Sequence, residues 1–214
     1  MQRQVQPEIL DTLSPDHPDA LHNRRDLRVT NRLMGNHRWV ERTLLAQRRA
    51  GDRILEIGAG AGELGARLAA CGLECDGLDL WPRPPHWPVA AAWHRVDLLE
   101  FDRYQDYDVI IGNLIFHQFA AADLAALGHK LRSRARVIVA CEPTRRRMSQ
   151  VMFARVAPLL GANYVSMHDA HVSIAAGFRA SELPEVLGVA PDAWDVRCTE
   201  TSLGACRMVA VRRP

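Results

Sequence analysis

The sequence predicts an α/β fold: a seven-stranded, mostly parallel sheet with helices on both faces and a C-terminal antiparallel hairpin. Three observations predict it. Short apolar runs alternate with amphipathic stretches from residue 52 to about residue 190, the pattern of parallel strands joined by crossover helices. The run YDVIIGNLIF, residues 107–116, is apolar almost throughout, as a strand buried on both faces should be. Two further strand-like runs, WDVRCTE and GACRMVAVRR, close the chain with a short connection, which predicts an antiparallel pair.

Each element follows in order. Residues 1–21 contain LSPDHPDA, proline and charge with little to bury, and predict a loosely ordered tail. Residues 22–50 place Leu27, Leu33, Met34, Trp39, Val40, Leu44 and Leu45 at helical spacings interrupted by Gly35-Asn36, so two helices should form a cap ahead of a domain filling residues 51–214. RILEIG is the first strand. ELGARLAACG follows as a helix with Leu64, Leu68 and Cys71 on one face and Gly72 at its end. LECDGLDL is the second strand. The four prolines of WPRPPHWP then exclude helix and central strand. AAWHRVDLL is a weaker third strand and YDVIIGNLIF the fourth. FAAADLAALGHKLRS is a helix, RVIVACEP the fifth strand, and helices are expected near residues 148–160 and 180–187. No internal repeat is visible.

Composition narrows the function. The chain is 48% hydrophobic and 24% charged with a formal net charge of only +2, which gives no nucleic-acid footprint. MQRQVQPEIL has no apolar core of a secretory signal, and no apolar stretch approaches the roughly 20 residues needed to span a bilayer. The five cysteines are an odd number, and CGLEC lacks zinc-knuckle spacing; they read as small buried residues in a reducing cytoplasm. In HDAH, His168, Asp169 and His171 look like a metal pair, but no third ligand accompanies them. No metal is expected, and these residues either shape a substrate pocket or serve only the structure.

The chemistry concentrates in ILEIGAGAGELG, residues 54–65. Gly58, Gly60 and Gly62 behind a strand let the backbone approach a ligand closely, and the next helix offers unpaired N–H groups. The third glycine of a dinucleotide G-x-G-x-x-G turn would fall at Glu63, which argues against a nicotinamide cofactor. Asp79 ends the second strand, where it can accept hydrogen bonds from ribose hydroxyls. Asp97 follows the third strand, placed to meet an adenine amino group. Glu56 either orders the turn or touches the ligand.

Together, EIGAGAG, the acidic end of GLDL, Asp97 and the closing hairpin resemble the class I S-adenosylmethionine-dependent methyltransferases. The resemblance spans residues 37–214 and looks most like the small-molecule branch that includes ubiquinone and menaquinone biosynthesis enzymes. It implies a Rossmann-like sheet binding S-adenosyl-L-methionine. The turn formed by Glu56, Gly58, Ala59, Gly60 and Gly62 would face the methionyl part, and Asp79 with Leu80 the ribose. Asp97 with Leu98 would meet adenine, and Asn113 with Leu114 the methionine amino group. The strand-four end lacks the Asn-Pro-Pro-aromatic signature, which argues against methylation of adenine or glutamine nitrogen. O- or C-methylation of a small organic acceptor is therefore the expected reaction. His117, just after strand four, is the candidate general base, or else a structural histidine. Trp39, Trp81 and Trp87 would either cover the site or fill the core. The rival readings are a nicotinamide-dependent oxidoreductase and a non-catalytic S-adenosylmethionine-binding subunit.

Overall fold

A computed structural model describes all 214 residues. Seven strands form one sheet in the order β3-β2-β1-β4-β5-β7-β6. They are β1 (Ile54–Ile57), β2 (Asp76–Asp79), β3 (Trp93–Arg95), β4 (Val109–Asn113), β5 (Val137–Pro143), β6 (Trp194–Glu200) and β7 (Ala205–Arg212). The first five pair in parallel, and β7 runs antiparallel between β5 and β6. Strand order reverses between β1 and β4, so a crevice opens at the carboxyl ends of these two strands.

Side chains alternate across the buried strands and so divide the core. Ile110, Ile138 and Ala140 enter a large cluster with Leu124, Leu127 and Leu131 of α4 (Ala121–Leu131) and Leu183 of α7 (Glu182–Val186). Val109, Ile111, Val137 and Val139 enter the opposite cluster, which holds Val40 and Leu44 of α2 (Asn36–Gln47) and Leu64 and Leu68 of α3 (Glu63–Ala70). Each such side chain contributes roughly 1.5–3 kcal/mol by leaving water. Helix α2 is therefore part of the core.

The helices before the sheet begin earlier than expected. Helix α1 (Pro18–Met34) has proline in its first turn, and the His17 Nδ1 accepts a bond from Asp19 N. Gly35 stops it at φ 66°, where α2 begins. The loosely ordered tail is not what the structure shows. Gln4 N donates to Ala175 O (3.1 Å), and the Arg3 guanidinium donates to His117 O (3.1 Å) and Phe119 O (2.8 Å). Ile9 N and Leu10 N donate to the Asp169 carboxylate at 2.7 and 3.1 Å. Polar residues that read as solvated are satisfied by buried partners far away in sequence, which composition cannot reveal.

Helix α5 (Arg147–Val156) lies where a helix was expected, but α6 (Tyr164–Ala176) was not anticipated. Its sequence, YVSMHDAHVSIAA, has no one-sided apolar stripe because it is packed between α1, α5 and β5. Asn163 caps it, accepting from Ser166 N at 2.9 Å. No helix is long and apolar enough to cross a membrane.

Candidate active site

A cavity of about 620 Å³ opens at the carboxyl ends of β1, β2 and β4, covered by α1, α5, α6 and the N-terminal segment. Eleven of the twelve residues singled out from the sequence line it; Gly62 does not.

The glycine turn makes the first wall. Gly58 has φ 64°, and a Cβ there would stand 2.5 Å from the Ile115 side chain of the loop after β4. Gly60, at φ 51°, has nothing within 4 Å of its would-be Cβ, so its bare backbone faces open space. Gly60 N donates to Asp79 Oδ2 (2.7 Å) and Trp81 N to Asp79 Oδ1 (2.9 Å), which fixes the carboxylate at the end of β2. Burial still raises the Asp79 pKa, outweighing those backbone donors. The Gly62 expectation is corrected by its surroundings. A Cβ there would meet the buried Trp87 ring at 2.9 Å, so this glycine serves packing beneath the turn. Trp87 is core and Trp39 packs on the α2 side, whereas Trp81 lines the cavity beneath the Arg24 guanidinium.

Asp97 Oδ1 accepts from Leu99 N at 2.7 Å, which orders the loop after β3. Leu98 is buried beside it, and Leu80 stands exposed at the rim. Asn113 ends β4 and donates through Nδ2 to Asn31 Oδ1 (3.2 Å), which also accepts from Asn36 Nδ2 (3.1 Å). Leu114 adopts φ 59°, a left-handed conformation unusual for a branched side chain, and its N–H donates to Cys141 O (2.8 Å). Such strain costs on the order of 1–3 kcal/mol and persists only where the surroundings enforce it.

Two polar atoms in this wall stand out. Glu56 Oε2 and Asn113 Oδ1 are buried without any hydrogen-bond partner. Burial, and then the nearby Asp79 charge, push the Glu56 carboxyl up to about 8.

His117 does not have the chemistry of a neutral base. It is 3% exposed, with Nδ1 2.6 Å from Glu142 Oε2 and Nε2 3.2 Å from Glu8 Oε1. Burial opposes its charge, but Glu142 and then Glu8 outweigh that and raise it to about 10. At neutral pH it is an imidazolium held between two carboxylates, with no lone pair to take a proton. Glu142 also accepts from Ile115 N, Phe116 N and His117 N at 2.9–3.1 Å, so it shapes the whole loop after β4. Glu8 accepts from Ser173 of α6 as well, and these partners hold it below its ordinary pKa despite burial.

Asp169, from the HDAH stretch, lines the cavity and clamps the N-terminal segment, while His168 bonds to its carboxylate at 3.1 Å. Glu142 had a signal in the sequence, a charge inside the apolar strand VIVACEP. Glu8 and Asn31 had none, since their partners lie 109 and 82 positions away. Removing residues 1–13 is expected to lower stability by about 2 kcal/mol or more, because His117 loses the Glu8 carboxylate and the Asp169 carboxylate loses two backbone donors. Thermal melting of the truncated chain checks this; an unchanged midpoint would show that the segment is not anchored.

Solved structures with the same architecture carry a common description. The plantazolicin methyltransferase BpumL in complex with S-adenosylhomocysteine is 14% identical, with 93% of this chain and 92% of that one covered at a TM-score of 0.69. Magnesium protoporphyrin IX methyltransferase from Synechocystis PCC 6803, also with bound S-adenosylhomocysteine, is 17% identical over 88% and 86%, at 0.57. The fold is the Rossmann-like methyltransferase fold. Human N-acetylserotonin methyltransferase shares it at 14% identity and 0.61, the whole of this chain matching 63% of that one. No protein-family model matches the sequence, and no curated protein does.

Proposed function

We propose that this chain is an S-adenosylmethionine-dependent methyltransferase that transfers methyl to oxygen or carbon of a small organic acceptor. One observation carries the reading. Glu56 and Asn113 line the same cavity as the bare Gly60 backbone and the fixed Asp79 carboxylate. This donor set fits the cofactor: acceptors for an ammonium group, an acid for ribose hydroxyls, and Asp97 for an adenine amino group. The similar structures described with S-adenosylhomocysteine or S-adenosylmethionine bound add support.

When bound, the cofactor supplies an electrophilic methyl on a sulfonium centre. The chain's own contribution is binding, alignment and exclusion of water. Asp79 and Asp97 hold the nucleoside, and Glu56 with Asn113 takes the amino end. Phe119, Phe153 and Ile174 line the remaining cavity with apolar surface, which keeps water from the acceptor. Alignment alone can supply much of the rate, with effective molarities of order 10⁵ M or more. His117, already protonated, orders the loop after β4 and takes no proton. A nicotinamide reading is disfavoured because Glu63 occupies the third-glycine position and pairs with Arg28 of α1 at 3.2 Å.

Asp79→Ala is expected to weaken cofactor binding at least tenfold, roughly 1.5–3 kcal/mol, by removing charge-assisted bonds to the ribose. The functional test is release of S-adenosylhomocysteine from labelled cofactor in the presence of phenolic or enolic acceptors. Turnover lost in Asp79→Ala supports the reading. Cofactor binding without turnover on any acceptor would instead indicate a binding subunit.

A further inference from the structure

Half of the exposed large apolar side chains belong to one face. Met148, Val151, Met152 and Val156 of α5, Leu159 and Leu160 of the 3-10 turn Ala157–Leu160, and Tyr164 opening α6 follow one another along the surface. Met148 is 78% exposed and Leu159 84%. Only Ser149 of α5 is buried, and it lies against the β6–β7 turn, which adds exposed Leu203. Single exposed apolar residues need no explanation, but a continuous face marks an interaction surface.

Charge identifies the partner. Residues 147–164 contain no Asp or Glu. Arg145 and Arg146 pair with Glu182 and Glu200, which leaves the exposed Arg147 and Arg155 as the uncompensated charges of the helix. A two-fold contact between copies through this face would bring together two surfaces of the same positive charge. An anionic bilayer accepts both features, taking the apolar side chains into its interface and the guanidinium groups among its phosphates. The face is also continuous with the cavity, because Met152, Phe153 and Leu203 line it.

We propose that α5 and the turn after it dock on an anionic phospholipid surface, and that the acceptor is an apolar molecule entering the cavity from that surface. Docking stands independently of the proposed function, while the delivery of an acceptor rests on it.

The test is co-sedimentation of the full chain with vesicles of phosphatidylcholine alone or mixed with phosphatidylglycerol. The chain should bind the mixed vesicles, less so at high salt, and bind pure phosphatidylcholine weakly. Arg155→Ala should reduce partitioning about fivefold. Leu159→Glu with Leu160→Glu should abolish it while melting and S-adenosylhomocysteine binding stay as in the parent. No binding to the mixed vesicles, or equal binding by the double variant, overturns the proposal. So does light scattering that shows a dimer which the double variant dissolves, since the face would then join two copies. Vesicle binding as expected with no S-adenosylhomocysteine binding would leave the docking intact and overturn the cofactor reading alone.

Discussion

His117→Ala is expected to destabilise the fold by about 3–5 kcal/mol, because it leaves Glu142 buried without its counter-charge. Glu142 is fully buried and Glu8 nearly so, and the imidazolium is their shared partner. The pH dependence has a defined sign. His117 has a folded pKa of about 10 against an ordinary 6.5, so its contribution is complete below pH 6.5 and is lost as pH rises through 10. Melting temperatures of parent and variant should therefore converge toward alkaline pH. A variant that stays stable but loses turnover, with recovery at high pH, would show that His117 acts as a base after all.

Glu56→Gln is expected to stabilise the cofactor-free protein while weakening cofactor binding. In the fold this carboxyl titrates near 8, whereas the unfolded chain ionises near 4.5. Between those values the folded state keeps a proton that the unfolded state has released, so the parent loses stability as pH rises from 4.5 to 8. Glutamine does not titrate, so the variant should exceed the parent by on the order of 3 kcal/mol at pH 7, the two converging below pH 4.5. Loss of a charge-assisted bond should meanwhile weaken S-adenosylhomocysteine binding about tenfold. Denaturant titrations across this pH range, with a binding titration at each pH, check both. A parent whose stability is flat over that interval would show that Glu56 is ionised in the fold.

Much of this was legible in the sequence because it is local. Strand-helix alternation, the unbroken apolar character of β4 and the short link between β6 and β7 each report on neighbouring residues, and the sheet follows them. Asp79 could be placed because acid and glycine turn sit at the ends of adjacent strands. What stayed hidden depends on distant partners. Helix α6 is covered on several sides and so carries no stripe. The N-terminal segment is ordered by Asp169 and His117, more than a hundred positions away. His117 itself looked like a base from its place after β4; only the two carboxylates that converge on it reveal its charge. Gly62 shares its motif with Gly60 but faces Trp87 instead of the cavity.

Calorimetric titration of the full chain with S-adenosylhomocysteine, beside a parallel titration with NAD, decides whether the cavity above β1 and β4 binds S-adenosylmethionine. Saturable one-to-one binding of S-adenosylhomocysteine is expected, at least tenfold weaker in Asp79→Ala, with no heat from NAD. Saturable binding of NAD with none of S-adenosylhomocysteine would contradict it.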